Sequence, residues 1–278
     1  MRNYFLNLLY DQMELDDKIF FLTADMGINL VEKFEVTFPE RFLNVGIAEQ
    51  NLIGVAAGLA ESGMKPFVYT ISNFLTQRCF EQIRNDVVLH DLPITMVGTS
   101  TGYDNAQLGP THHMLDDWGV ISALPKIKIG CPYSLESVKR IFLKTISSLE
   151  PHYVRIPKGP GYKFENNFSF EDLGREIVVT YGSAIPFGIE FSNAKKTKMF
   201  VVEWLGMDVF NFLDSINLKG TETITIVEDH FPNVGLYSYV CQWKNLRRSQ
   251  IVVQSIAPKN YQSKVGIEIF DFMENDMV

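Results

Sequence analysis

A chain of 278 residues, 46% hydrophobic and 21% charged, has the composition of a globular protein that is long enough for two domains. Its net charge of −8 excludes a dominant surface for nucleic acid or anionic membrane, although a local basic patch could still bind phosphate. Three scattered cysteines exclude a disulfide framework and indicate reduced thiols in the cytoplasm. No apolar run approaches the roughly 18 residues of a membrane span, and the first residues lack the pattern of a signal peptide.

Short apolar runs alternate with segments of helical periodicity in the first half of the chain. The predicted strands cover residues 19–23, 42–47, 66–70, 94–98, 127–130 and 152–156, and the predicted helices cover 3–15, 49–62, 75–90 and 135–147. Strands separated by helix-length segments are typical of a parallel sheet, because each crossover must return the chain to the same end of the sheet.

The second half repeats this alternation after a break. The sequence PKGPG at residues 157–161 interrupts regular structure, and the polar stretch up to residue 174 predicts a linker. Predicted strands then follow at residues 176–181, 199–203, 223–227 and 250–255. We therefore predict an α/β fold with two doubly wound domains, each with a mostly parallel sheet covered by helices, at residues 1–158 and 176–278, with a linker over 159–175.

The segment VGIAEQN, residues 45–51, places the carboxylate of Glu49 where a predicted strand runs into a helix rich in small residues. The carboxyl ends of parallel strands form the edge at which open α/β sheets bind their ligands. Taken alone, this position has a simpler explanation, because the helix dipole favours a Glu near a helix start. Two further segments favour a binding site: the loop that carries Phe74, and GPTHH at residues 109–113.

Together these segments resemble the transketolase family of thiamine-diphosphate enzymes, in the half that holds the aminopyrimidine ring of the cofactor. The resemblance rests on GIAEQN, on the Phe-bearing loop and on GPTHH, which match the family in order and spacing from Asp25 to His113. It implies that Glu49 shares a proton with a ring nitrogen of the cofactor. That role needs a carboxyl group in a largely dry cleft, where desolvation and a hydrogen bond make it an effective proton partner.

The resemblance implies three further residues at the cofactor. Phe74 would lay its ring against the aminopyrimidine, and Phe80 would be a second aromatic contact. Asp25 would line the cofactor cleft. Each has an alternative interpretation, because Phe74 and Phe80 could be ordinary core residues and Asp25 could cap a helix ahead of Gly27.

Four residues are implied in substrate binding. His112 matches the histidine that reaches the reacting carbons of the sugar, and it can both give and accept a proton near pH 7. Arg2 and Lys158 fall near the two arginines that grip the substrate phosphate, although surface salt bridges would also explain both. Leu108 stands where the family has an aspartate that contacts a sugar hydroxyl. The expected substrate therefore lacks that hydroxyl, carries a substituent, or is differently placed.

The other histidines receive no role in the chemistry. His113 follows His112 directly, but no third ligand stands at helical spacing, so we discount a metal site there. We interpret His90, His152 and His230 as structural residues.

One expected motif is missing. Thiamine enzymes of this type hold the diphosphate through Mg²⁺ with Gly-Asp-Gly and a later Asn, and no Gly-Asp-Gly occurs in this chain. The resemblance therefore implies the C-terminal half of a split transketolase, whose partner is an N-terminal subunit that carries this motif and most of the Mg²⁺ contacts. An active site between two different chains, doubled by a two-fold axis, implies a heterotetramer.

The leading hypothesis is a subunit that transfers a two-carbon ketol unit between sugars or modified sugars and is active only with its partner. The beta subunit of a 2-oxo-acid dehydrogenase is an alternative that GPTHH disfavours. Deoxyxylulose-phosphate synthase shares this motif, but normally in one long chain with its own Gly-Asp-Gly. A non-catalytic relic subunit is a further alternative, although a relic would have no reason to retain Glu49, Phe74 and His112.

Overall fold

The computed structural model describes residues 1–163 and 173–261. The chain forms two compact units, the first made of residues 1–100 and 120–161 and the second of residues 101–119 and 162–278. Much of the predicted linker, residues 164–172, lies outside the described residues. The second unit also takes in residues 101–119, which we had assigned to the first domain, and the domain boundaries remain a prediction.

Six strands of the described part of the first unit form a parallel sheet. They are β1 (Ile19–Thr23), β2 (Phe42–Asn44), β3 (Lys65–Ile71), β4 (Thr95–Thr99), β5 (Lys128–Gly130) and β6 (His152–Ile156). Their order is β2-β1-β3-β4-β6-β5, with parallel pairing throughout. The chain moves outward from β1 to β2 and then returns to β3 on the other side. This reversal creates a switch point between β1 and β3, the place where such sheets bind ligands.

Helices connect these strands. They are α1 (Arg2–Leu15), α2 (Glu32–Thr37), α3 (Glu49–Glu61), α4 (Ser72–Thr76), α5 (Phe80–Gln82), α6 (Asp117–Ser122) and α7 (Leu135–Ser147). Phe5 on α1 meets Phe142 on α7 edge to face, with 5.2 Å between the ring centroids, and both rings approach Phe67 on β3. These aromatic contacts bury the apolar stripe of both helices against one face of the sheet.

Two predicted elements differ from the structure. The predicted strand 42–47 ends at Asn44, because the Asn44 side chain accepts hydrogen bonds from the backbone of Asp25 and Gly46, and Gly46 has a φ of +75°. The predicted helix 75–90 is broken after Thr76 and resumes as α5 and a π-helical turn, Ile83–Val88. The Cys79 thiol bonds to the Phe74 carbonyl at this break.

The second unit contains its own parallel sheet. The strands of this unit are β7 (Glu176–Thr180), β8 (Lys198–Val201), β9 (Trp204–Leu205), β10 (Thr223–Val227) and β11 (Val252–Ile256), and its long helices are α8 (Ile185–Lys195), α9 (Asp208–Ser215) and α10 (Leu236–Arg247). Four strands pair in the order β11-β10-β7-β8, all parallel. The predicted α/β fold with two doubly wound sheets is therefore confirmed. None of the described helices is long and apolar enough to cross a membrane.

Candidate functional site

Glu49 lies at the carboxyl edge of the first sheet, at the first position of α3. It is only 3% exposed, although it is charged in water at neutral pH. A buried carboxylate is expensive unless hydrogen bonds and an opposite charge satisfy it. The groups that surround Glu49 therefore decide what it can do.

Arg78 provides the opposite charge for the Glu49 carboxylate. Its Nη1 lies 2.5 Å from Oε2 of Glu49, while its guanidinium carbon lies 4.3 Å from the centroid of the Phe74 ring. The side-chain amide of Gln50 donates to the Arg78 carbonyl at 3.2 Å, which fixes the backbone of this turn. The guanidinium is thus stacked on an aromatic ring and bonded to a buried carboxylate at the same time.

This arrangement tests whether the residues fit the aminopyrimidine that the sequence analysis implied. A guanidinium is flat and donates hydrogen bonds from nitrogen. Here such a group contacts the face of Phe74 and the carboxylate of Glu49 together. A flat ring that carries a proton on one nitrogen would make the same two contacts, so Glu49 and Phe74 fit the implied group.

Cys79 follows Arg78 and is fully buried. Burial raises the pKa of the Cys79 thiol to about 12, and the negative charge of Glu49 adds to this effect. The thiol therefore stays protonated at neutral pH, which makes Cys79 a packing residue rather than a nucleophile.

Asp25 and Phe80 lie on the loops that border this edge. Asp25 is exposed just after β1, has a φ of 48° and donates its backbone N–H to Asn44. The interpretation of Asp25 as a helix cap is wrong, because the next helix begins at Glu32 and its N-cap is Val31. Phe80 is half-buried at the first position of α5. The assignment of both residues to the cofactor remains a prediction.

Buried hydroxyl groups follow the two neighbouring strands. Ser72 comes directly after β3 and Ser100 directly after β4, and both are fully buried. Neither hydroxyl oxygen has a hydrogen-bond partner among the described residues. Ser100 also has a φ of 65°, a backbone conformation that costs energy outside glycine. Unsatisfied buried groups and local strain both concentrate at binding sites.

Arg2 and Lys158 line one cavity of about 350 Å³, together with the neighbouring backbone of both chain segments. Two cations that share a concave surface suit an anion such as a phosphate. Tyr69 is buried nearby; burial raises the pKa of its hydroxyl, and the Arg2 guanidinium acts in the opposite direction. The structure thus brings together the two residues that we predicted to grip a substrate anion.

Leu108 and His112 lie in the second unit, on two short 3₁₀ turns, Ala106–Leu108 and Pro110–His112. Gly109 joins the turns with a φ of 80°, which explains the glycine. Leu108 is 49% exposed. His112 is half-buried, and its Nδ1 lies 2.9 Å from the hydroxyl oxygen of Thr111. Both side chains remain accessible to a ligand.

His113 points the other way. It is buried edge to face against Tyr103, with 5.2 Å between the ring centroids, and its Nε2 lies 3.4 Å from the Ala106 carbonyl. Burial lowers the pKa of His113 and favours the neutral imidazole. This residue therefore packs the loop, while His112 next to it faces outward. Within residues 1–163 and 173–261, no cluster of three or more His, Cys, Asp or Glu side chains is arranged to hold a metal ion.

Sequence reasoning missed Arg78. Arg78 lies in the turn after α4 ends at Thr76, and its contact with Phe74 arises from that turn rather than from a helix face. The partner carboxylate of Arg78 is 29 residues away in sequence, and no local pattern indicates it.

Comparison with known proteins gives one family match. Residues 1–162 match the transketolase pyrimidine-binding domain. Among curated relatives, a 1-deoxy-D-xylulose-5-phosphate synthase of Dictyoglomus turgidum is 32% identical over 228 residues, which cover 77% of this chain and 37% of that protein. A putative transketolase C-terminal section of Methanocaldococcus jannaschii is 31% identical over 75% of this chain and 70% of its own length.

A third relative and two solved structures complete the comparison. The 6-deoxy-6-sulfo-D-fructose transketolase subunit SqwH of a Clostridium species is 28% identical over 66% of this chain and 58% of that protein. A structure described as a split gene transketolase, inactive beta4 tetramer, has a TM-score of 0.79 at 25% identity, over 95% of this chain and 90% of that chain. The transketolase of Campylobacter jejuni shares the fold with a TM-score of 0.75 at 17% identity, and this chain covers 43% of it.

Proposed function

The chain belongs to the transketolase family, as the counterpart of the C-terminal half, and on this premise we propose that it is the C-terminal subunit of a split transketolase. The enzyme would transfer a two-carbon ketol unit between sugars with thiamine diphosphate, the cofactor on which this family depends. The chain spans 37% of its synthase relative and 58% of its transketolase-subunit relative, which supports an activity completed by residues of another chain.

The observation that carries the proposal is the buried carboxylate of Glu49 with a planar group bonded to it and stacked on Phe74. Thiamine diphosphate, when bound, supplies a carbon nucleophile that takes up the two-carbon unit. Glu49 would hold and share the proton at the ring nitrogen of the cofactor, and Phe74 would orient the ring by stacking. Arg78 would give up both contacts and return to solvent, which its 43% exposed side chain can reach.

The substrate residues receive distinct roles. His112 would hold or donate a proton at the oxygen atoms of the reacting sugar, a task that suits an accessible imidazole near neutral pH. Arg2 and Lys158 would hold a terminal anion of the sugar in their shared cavity. These residues would orient the substrate so that the reacting atoms meet in a fixed geometry.

The partner would supply what this chain lacks. We assign the Gly-Asp-Gly…Asn motif, the diphosphate contacts and most Mg²⁺ ligands to an N-terminal subunit, and the assembly to a heterotetramer in the cytoplasm. The absence of Gly-Asp-Gly from the sequence supports this division. The existence of separate transketolase subunits and C-terminal sections among the relatives also supports it.

Titration calorimetry tests this division of the site. The purified chain should bind thiamine diphosphate weakly, with or without Mg²⁺, and should transfer no ketol unit. Addition of the N-terminal subunit should create activity, and cofactor and partner should then stabilise each other by mass action. Tight Mg²⁺-dependent binding by the chain alone would contradict the proposal.

Leu108 suggests the class of sugar. An accessible apolar side chain cannot bond the hydroxyl that an aspartate would contact, so a deoxygenated or otherwise modified sugar is the better substrate. Similarity to a subunit named for a 6-deoxy-6-sulfo sugar favours the same class. The variant Leu108→Asp should shift the ratio of kcat/KM toward ordinary ketose phosphates by about 1–3 kcal/mol, the value of one hydrogen bond to a charged group. Efficient wild-type turnover of common pentose phosphates would reject this class of sugar.

A second candidate is a synthase that decarboxylates a 2-oxo acid and joins the remaining fragment to an aldehyde. Identities of 32% and 37% to 1-deoxy-D-xylulose-5-phosphate synthases favour it. The two candidates differ in one product, because only the synthase releases carbon dioxide from pyruvate. Carbon dioxide release by the assembled enzyme, measured with labelled pyruvate, decides between them.

A further inference from the structure

Residues 101–119, which we name the histidine loop, leave the first unit after β4 and belong to the second unit. The loop carries Leu108 and His112. Two backbone hydrogen bonds close its base: the N–H of Gly102 donates to the Met114 carbonyl at 3.1 Å, and the N–H of Met114 donates to the Gly102 carbonyl at 2.8 Å. The position of His112 therefore depends on how firmly the second unit holds this base.

His230 holds the loop just beyond its base. Its Nε2 lies 2.6 Å from Oδ1 of Asp117, and both side chains are fully buried. Its Nδ1 lies 2.7 Å from the Tyr181 hydroxyl and 3.0 Å from Oδ1 of Asp229. The imidazole thus links three side chains, one of which belongs to the histidine loop. The loss of a short hydrogen bond between two fully buried side chains is costly, so this link resists opening.

Backbone contacts reinforce the link. The backbone N–H of Phe231, next to His230, donates to the Leu115 carbonyl at 3.1 Å. A Cβ atom at Gly102 would lie 2.6 Å from a carboxylate oxygen of Asp229, closer than any real side chain can come. The histidine loop therefore packs too closely against the rest of the second unit to admit a side chain at position 102.

We propose that His230 is a positioning residue for substrate turnover: through Asp117 it fixes the base of the histidine loop and thereby sets the position of His112. The role in turnover rests on the proposed function, whereas the anchoring of the loop does not.

Hydrogen exchange on the full chain tests the anchoring. In His230→Gln, peptides from residues 103–113 should exchange about tenfold faster or more, because a buried hydrogen bond to Asp117 is lost from the base. The control is His152→Gln, which removes a buried histidine of the first unit whose Nδ1 lies 2.8 Å from the Glu150 carbonyl. The control should leave exchange in the loop unchanged. Unchanged exchange in His230→Gln would overturn the inference, whatever happens to activity.

Asp117→Asn guards against a general folding defect, because it keeps the size of the side chain and removes its charge. It should loosen the same peptides, and the double variant His230→Gln/Asp117→Asn should be no worse than the more severe single variant. Such non-additivity identifies the pair as one unit. Additive effects would overturn the inference.

Kinetics of the enzyme assembled with its partner test the role in turnover. In His230→Gln, kcat/KM for the sugar should fall by on the order of 100-fold, the effect of a small misplacement of a reacting group. The dissociation constant of thiamine diphosphate should change by less than about twofold, since Glu49 and Phe74, the residues proposed to hold the cofactor, belong to the first unit and not to the histidine loop. A loosened loop with unchanged kcat/KM, or a parallel loss of cofactor affinity, would overturn the positioning role. Absence of ketol transfer in the wild-type assembly would instead reject the proposed function.

Discussion

Two glutamates of this chain are buried near the start of a helix, and they are satisfied in opposite ways. Glu49 heads α3, and its carboxylate is bonded by Arg78, whose side chain is 43% exposed. Glu228 follows β10, and its carboxylate accepts hydrogen bonds from the backbone N–H groups of Leu236 and Tyr237, at 2.6 and 3.0 Å. The Arg78 side chain can move into solvent, whereas the N–H groups that bind Glu228 are fixed in the first turn of α10.

The difference separates a carboxylate that is available to a ligand from one that is part of the framework. Displacing Glu228 would leave two N–H groups at the start of α10 without their acceptor, which would destabilise the fold. Displacing Arg78 from Glu49 returns a guanidinium to water, where it is well solvated. Burial alone therefore does not identify a functional acid, and the exposure of its charged partner must be considered as well.

The largest expected effect is on turnover. Glu49→Gln should lower ketol transfer by the assembled enzyme by about 100- to 10,000-fold, because an amide cannot share the proton that a general acid or base supplies. Glu61→Gln, at the other end of α3, is the matched control and should keep wild-type turnover. Steady-state rates at saturating cofactor decide the matter. An equal loss in Glu228→Gln would remove the distinction between the two glutamates.

Stability should show the reverse order. Glu228→Ala should lower the free energy of unfolding by about 2–3 kcal/mol, because two buried backbone donors lose their acceptor. Glu49→Ala should change it by less than about 1 kcal/mol, since Arg78 regains water. Urea denaturation followed by circular dichroism measures both values. A larger loss in Glu49→Ala would show that Glu49 also belongs to the framework.

The Arg78 partnership can be measured separately. Arg78→Gln should lower the free energy of unfolding by about 1 kcal/mol, because Glu49 keeps its burial and loses a charged donor. The same substitution in a Glu49→Gln background should have almost no effect, which isolates the pair in a double-mutant cycle. Arg84→Gln on the neighbouring turn serves as the exposed control. Additive losses in the cycle would mean that Arg78 acts on something other than Glu49.

Glu228 also predicts a pH dependence of stability. Burial raises the pKa of Glu228 from an ordinary value of 4.5 to about 8. The folded chain therefore keeps a proton that the unfolded chain releases, so this contribution to stability is full below about pH 4.5 and is lost as the pH rises toward 8. Glu228→Gln should flatten the decline in Tm between pH 5 and 8, relative to wild type. A decline of the same slope in both proteins would assign it to other groups.

Local patterns predicted some regular elements of both units well. The predicted helix 135–147 coincides with α7, because its apolar positions follow the helical period and Ser134 caps it through a hydrogen bond to the backbone of Ser137. The strand predicted at residues 223–227 coincides with β10. Such elements depend on neighbours in sequence, which a single chain displays directly.

Long-range polar pairs escaped prediction. His230 was interpreted as a structural residue, and its link to Asp117 spans 113 positions of sequence. The sequence around GPTHH does not indicate that these residues belong to the second unit. Loop residues have no hydrophobic period, so their packing partners cannot be predicted from the sequence pattern. The break in the predicted helix 75–90 has the same origin, since Arg78 turns toward a carboxylate that only the folded chain brings near.

The path of the histidine loop determines where this protein can be divided. A fragment that ends at Gly161 would retain residues 101–119 but would lose Tyr181, Asp229 and His230, the side chains that the loop packs against. In this fragment Asp117 would lose its hydrogen bond to His230, and the loop would lose the surface against which it packs. Residues 162–278 alone would in turn lack part of their own packed interior. A cut between the two sheets would therefore separate the histidine loop from the unit to which it belongs.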